Sequence, residues 1–201
     1  LFQPPDRWSP AVVCVDVVKI IERNEEEYDI FPYVSQKGEN QVTYHIRVRP
    51  TALIIENDSV LLIEYSENGE FHYNLPGGGA EPGETITDSL AREMMEEAAA
   101  EVNVGRVAFV YEFAPHKQSG TYDSATTPHA LIIVFDCTLK DGSQPRLPDQ
   151  PDPMQVGVRW IRLDELESIM LFPNVKKQII RYASKRDSVE LVEDYQLEPY
   201  E

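Results

Sequence analysis

Between Leu75 and Ala100 the chain gathers the residue types that do chemistry. A run Leu75-Pro76-Gly77-Gly78-Gly79-Ala80-Glu81-Pro82-Gly83-Glu84 leads into a segment without Gly or Pro that carries Arg92-Glu93 and Glu96-Glu97. Positions 93, 96 and 97 are related by i, i+3 and i+4, so on a helix their carboxylates share one face. Like charges so close repel, and such a face is stable only if it is fully solvated or binds a cation. For a helix taken alone the solvated acidic face is the ordinary reading. The glycines argue for more, because Gly77, Gly78 and Gly79 let main-chain groups approach a ligand closely, which makes Gly78 a candidate substrate contact. An all-oxygen donor set suits Mg2+, with Mn2+ as the alternative, and suits zinc poorly without histidine or thiolate. Arg92 stands four residues before Glu96 and can pair with it, the kind of guanidinium lock that orients a metal-binding carboxylate.

Two other phosphate motifs fail on the same loop. Gly78 to Thr85 has P-loop glycine spacing, but Glu84 stands where the lysine belongs. A dinucleotide fingerprint starting at Gly77 meets Pro82 in place of its last glycine. What the residues do resemble is the Nudix box: Gly78, Glu84, Arg92-Glu93-Met94, Glu96-Glu97, Ala99 and Ala100, with Leu75-Pro76-Gly77-Gly78 as the usual lead-in. Ala99 replaces the family's glycine and is expected to lengthen the helix and change the turn after it.

This resemblance implies an α/β protein, a Nudix-like α/β/α sandwich with a mixed β-sheet. It implies a magnesium-dependent pyrophosphohydrolase that cleaves a nucleoside diphosphate joined to another moiety, either an ADP-ribose-like compound or a nucleoside triphosphate. Glu93 and Glu97 would be the principal metal ligands. Glu96 would be a further ligand or the base, the Gly77 carbonyl an additional contact, and Arg92 the holder of the carboxylates. Glu112, Asp123 and Asp136 are the candidates for a base outside the box, each with a plainer reading as a sheet-edge or loop carboxylate. ADP-ribose-type members resemble this chain in a proline at the spacing of Pro115 from Ala99, although a single loop proline is ordinarily a turn former. His116 and Lys117 beside it are candidates to meet phosphate. The alternative function is a Nudix-fold nucleotide sensor or dimerisation module, motivated by Ala99 and by the N-terminal extension.

The elements that must position these groups are legible in outline. Val12 to Ile21, Asp29 to Val34 and Gln41 to Val48 read as strands of an N-terminal extension over residues 1–47. Pro50 interrupts that pattern and opens the main domain, residues 48–186, which an acidic tail over 187–201 follows. Thr51 to Ile55 and Val60 to Tyr65 flank a hairpin turn, and Phe71 to Leu75 leads into the glycine run. Thr85 and Thr87 are candidate caps for the helix, where Leu90, Met94 and Ala98 form an apolar stripe. Strands are expected at Arg106 to Phe113, His129 to Leu139 and Gly157 to Leu163, the last with Trp160 as core. Pro145, Pro148, Pro151 and Pro153 exclude a central strand between them. Asp164 and Asn174 are expected to cap two helices, the second from Val175 to about Ser184.

Composition bounds the partners. The 201 residues fit one core with an extension, and a formal charge of −17 opposes binding to nucleic acid polymers and to acidic membranes. A phosphate substrate therefore needs local cationic help. No apolar run approaches the roughly 20 residues of a membrane span. Cys14 and Cys137 lie in Val/Ile-rich runs, and Leu1 to Pro10 lack a basic region followed by an apolar stretch, so a cytoplasmic enzyme acting on a small nucleotide is expected. Exchange of the N-terminal strands between two chains would build a homodimer.

Overall fold

The computed structural model describes residues 46–117, 128–187 and 189. The strands expected before Ile46 lie outside the described residues, as do Cys14, Asp123, nearly all of the acidic tail and any N-terminal exchange. Two compact units are present. One comprises Leu1–Ile46 and Phe113–His129; its described part includes a short 3-10 turn at Pro115–Lys117, where the Lys117 N–H donates to the Ala114 carbonyl at 2.9 Å. The other comprises Arg47–Glu112 and Ala130–Glu201 and holds the carboxylates.

In that unit β1 (Ile46–Glu56) and β2 (Ser59–Glu67) form an antiparallel hairpin with Ile55 opposite Val60. Its turn residues, Asn57 and Asp58, have φ of 48° and 56°, left-handed values that Asn and Asp tolerate. Asn68-Gly69 repeats the device into β3 (Glu70–Asn74), at φ 52° and 85°. Then follow α1 (Ile86–Ala98), β4 (Val102–Phe113), β5 (His129–Leu139), β6 (Gln155–Arg162), β7 (Leu171–Phe172) and α2 (Lys176–Lys185). The sheet order is β4-β5-β1-β2-β3-β7, with β6 also paired to β2. The β3–β7 pair is parallel whereas β2 pairs antiparallel with β3 and β6, so the sheet is mixed.

Apolar residues cover both faces of β1 and β2, which explains their unbroken runs rather than alternation. Ala52, Ile54, Leu61 and Ile63 pack with Leu90, Met94 and Ala98 of α1. Leu53, Val60 and Leu62 pack on the other face with Ile179 and Tyr182 of α2. Each fully buried side chain of the α1 stripe contributes about 1.5–3 kcal/mol if large, enough to fix which face of the helix carries the acids. Among the described residues no helix is long and apolar enough to cross a membrane.

Several expectations are corrected. Pro50 does not break the strand, because β1 runs through it. The Val48 carbonyl accepts from Ala80 N–H at 3.0 Å and the Ala52 N–H donates to Pro76 at 2.8 Å, so the backbone of Val48, Pro50 and Ala52 faces the glycine turn, where a missing N–H is tolerated. Ala99 does not lengthen the helix; it takes φ 47°, ψ 40° directly after Ala98, and the N–H groups of Ala99 and Ala100 turn back to Met95 and Met94. β4 starts at Val102 rather than Arg106, and β6 at Gln155 rather than Gly157. Asp164 caps no helix: it accepts from Arg162 at 2.6 and 2.9 Å, and only a 3-10 turn follows at Leu166–Ser168. Asn174 is not the cap of α2, whose N-cap is Val175 with no side-chain bond. Trp160 is 40% exposed, facing a shallow cavity with Leu139 and Pro145 instead of filling the core.

Since Ala99 holds a left-handed conformation that glycine adopts freely, Ala99→Gly is expected to stabilise the protein by about 1 kcal/mol, raising Tm by about 2–4 °C. A calorimetric scan checks this, and an unchanged or lower Tm would contradict the αL cap.

Candidate functional site

Thr85 starts α1 as its N-cap, its hydroxyl accepting the Asp88 N–H at 3.1 Å, and this directs the helix so that Arg92, Glu93, Glu96 and Glu97 meet the glycine turn. Arg92 is the hub. Its Nε donates to Glu84 at 3.0 Å, its Nη1 to Glu93 and to Glu96 at 2.9 Å each, and its Nη2 to the Gly79 carbonyl at 3.1 Å. Ser89 adds a 2.8 Å hydroxyl bond to Glu84. The Arg92 bond, then Ser89, holds the Glu84 carboxyl below the usual carboxylate range, and Glu84 in turn raises the arginine. A guanidinium bonded at both its edges fixes these side chains before any ligand arrives.

The acids differ in setting. Glu96 is 56% exposed on its side chain, Glu93 only 13%. Glu97 is buried at 8% exposure, and its Oε2 accepts the Gly77 N–H at 2.7 Å. Burial pushes the Glu97 carboxyl up to about 8, against the pull of that N–H and with repulsion from Glu93 added. Glu93 is raised as well, by burial first, with Arg92 opposing and Glu96 reinforcing. Two neighbouring carboxyls are thus raised by burial although Arg92 and Arg49 oppose the shift.

The turn is built around them. Gly78 lies directly against the Glu93 carboxylate, so a Cβ there would collide with it. Gly77 has φ 150°, and a Cβ would meet the Pro50 carbonyl and Thr51. Both positions need glycine. The Gly77 carbonyl accepts from Arg49 Nη2 at 2.8 Å, leaving one lone pair. On the far side, Gln155 Nε2 donates to the Glu97 carbonyl at 2.6 Å and tethers the end of the helix.

Sequence reasoning missed Arg47, Arg49 and Gln155. Arg47 and Arg49 precede the glycine turn by some thirty positions, and their one signal was to be closely spaced cations in an acidic chain. Asp136 is held elsewhere: it accepts from Tyr182 at 2.7 Å and Arg186 at 3.0 Å, on the α2 side of the sheet and therefore opposite α1. Glu112 is exposed on β4. Pro115, His116 and Lys117 belong to the other unit, where Pro115 is buried.

Among the described residues no three His, Cys, Asp or Glu side chains form a closed ligand group. The chemistry still fits a hard divalent ion, because Glu97 and the partly buried Glu93 are neighbouring oxygen-only donors that repel each other. Such ions are commonly held by one or two carboxylates plus water and substrate phosphate.

Comparison with known proteins agrees with this geometry. The family model described as NUDIX domain matches residues 45–183. The nucleoside triphosphatase NudI of Enterobacter sp. (strain 638) is 33% identical over 90 residues, covering 42% of this chain and 63% of that protein. The NAD-capped RNA hydrolase NudC of Chromobacterium violaceum is 26% identical over 145 residues, covering 71% of this chain and 49% of that protein. The chain thus spans less than two thirds of the length of these curated relatives. A NUDIX hydrolase structure from Nitrosomonas europaea superposes with a TM-score of 0.58 at 24% identity, covering 78% of this chain and 98% of that one.

The raised carboxyls carry a sign. The native state holds protons on Glu97 that the unfolded chain releases above pH 4.5, so in metal-free buffer stability is expected to fall as pH rises from about 5 to 8. Thermal melts of Glu97→Gln should show a shallower decline; equal slopes for the two proteins would contradict this reading.

Proposed function

The chain belongs to the Nudix family, and on that premise we propose that it is a divalent-metal-dependent hydrolase of the pyrophosphate linkage in a small nucleotide, an ADP-ribose-like compound or a nucleoside triphosphate. One observation carries the reading: beneath the glycine turn Glu97 is buried and Glu93 partly buried, and burial raises both carboxyls in spite of the arginines beside them. A stability-driven sequence would not leave that arrangement, whereas a cation site requires it.

Glu93 and Glu97, with Glu96 and the Gly77 carbonyl, would hold Mg2+ or Mn2+, which when bound supplies polarisation of phosphoryl oxygens and acidification of a water. The chain's own groups do the rest. Arg92 keeps Glu84, Glu93 and Glu96 in fixed rotamers, so no reorganisation is needed during the reaction. Glu96, the most exposed acid of the cluster, would take the proton of the attacking water or serve as a further ligand. Water adds to phosphorus, the bridging P–O bond breaks, and the bridging oxygen leaves on the other phosphate. Gly78 is a proposed substrate contact, Pro115, His116 and Lys117 stay candidates on sequence grounds alone, and the name of NudI favours testing triphosphates beside ADP-ribose.

Ala99 gives no support to the sensor reading, since it keeps the backbone turn that glycine would make. We also place the enzyme in the cytoplasm, with a homodimer built by the N-terminal extension as a separate proposal.

A panel of nucleoside triphosphates, ADP-ribose, dinucleotides and sugar nucleotides, with Mg2+ and Mn2+, is expected to yield a nucleoside monophosphate from at least one compound. Arg92→Gln should lower kcat about 10–100-fold with a smaller change in KM. No turnover with any compound and either metal would overturn the proposal.

A further inference from the structure

Glu97 is the last residue but one of α1, where the final carbonyls of a helix lack intrahelical donors. Their partners differ in kind. The N–H groups of Ala99 and Ala100 donate to the Met95 and Met94 carbonyls at 3.2 and 3.3 Å, and the Arg146 N–H donates to that of Ala98 at 2.9 Å. The Glu97 carbonyl instead receives a side chain, Gln155 Nε2 at 2.6 Å. At its other end Gln155 Oε1 accepts the Asp152 N–H at 3.2 Å, and the Gln155 N–H donates to the Asp152 carbonyl at 3.0 Å. Gln155 is 5% exposed, and its amide has one orientation that suits both neighbours, oxygen to an N–H and nitrogen to a carbonyl.

The strand departs from regular pairing at the position that delivers this amide. In the β2–β6 ladder Val158 lies opposite Ile63, on the α1 face, and Gly157 opposite Glu64. Simple alternation from Val158 would carry Gln155 to the α2 face, away from the carboxylates. The register shifts between Glu64 and Tyr65, so that Tyr65 pairs with Gln155 and Val156 is the extra residue. Tyr65 packs on the α1 face, and the bulge therefore brings Gln155 to that side. A bulge gives up a ladder pair; this one supplies a donor to the residue whose carboxylate accepts from the glycine turn at 2.7 Å.

We propose that Gln155 is a positioning residue for the metal site, fixing the last turn of α1 so that the Glu97 carboxylate stays beside Glu93, and that it thereby sets the affinity for a divalent ion. This rests on the hydrolase reading, which takes Glu97 as a metal ligand. Gln155 acts through the main chain of Glu97, as groups behind a ligand commonly set its geometry.

Titration of the full chain with Mn2+ alone, with free ion read from its paramagnetic resonance signal, compares the wild type with Gln155→Met, which keeps the side-chain length and loses both amide bonds. Thermal melts in EDTA establish that each variant is folded at the assay temperature. Gln155→Met is expected to bind Mn2+ about 10–100-fold more weakly. Gln155→Asn, which keeps the amide one methylene short of Glu97, should fall with it. A role in stability alone would lower Tm and leave the Mn2+ affinity of the folded variant at the wild-type value, and that result overturns the proposal. Should Gln155→Met not fold, wild-type affinity in Gln155→Asn overturns it instead. A wild-type chain that binds no Mn2+ removes the metal reading itself, whereas Mn2+ binding indifferent to position 155 removes this inference and leaves the hydrolase reading standing.

Discussion

Glu97 is a carboxylate taken out of water and given a single main-chain donor at 2.7 Å, and much of the surrounding structure follows from keeping it there. The Gly77 N–H can reach it because Gly77 occupies a backbone conformation pressed against Thr51, which only a residue without Cβ fits. Gln155 holds the carbonyl of the same residue from β6, and the stripe of Leu90, Met94 and Ala98 locks the opposite side of the helix into the core. Burial on one side and tethering on the other hold the carboxylate in place, 8% exposed. An isolated buried charge of this kind is strongly unfavourable, and burial accordingly pushes the Glu97 carboxyl up to about 8.

Charge around the turn is divided among arginines with separate tasks. Arg92 neutralises and orients the acids, reaching back to Glu84 and across to Glu93 and Glu96. Arg49 braces the Gly77 carbonyl. Arg47 lies over Gly79. Against an overall charge of −17, these arginines concentrate positive charge at one place in the chain.

The carboxylate cluster was legible because its members are local: spacing of three and four on a helix places side chains together without knowledge of the fold. The same holds for the Asn57-Asp58 turn and the stripe on α1. Arg47, Arg49 and Gln155 were not legible, since their places in the site depend on β1 and β6 passing the turn, which is tertiary information. Pro50 misled because a proline reads as a strand breaker, and only the fold shows that its backbone faces a turn rather than a full strand. Ala99 misled in the opposite sense: alanine's helix preference of about 1 kcal/mol over glycine was outweighed by the constraint of leading directly into β4. Trp160 was assigned to the core on residue type alone, yet β6 leaves it 40% exposed.

The account turns on the pair Glu93 and Glu97 binding a divalent ion in place of protons. Crystals soaked in Mn2+ and measured for anomalous scattering test this directly. A peak in direct contact with oxygens from both side chains is the predicted result. Full Mn2+ occupancy elsewhere in the crystal with no peak between these two carboxylates would contradict it.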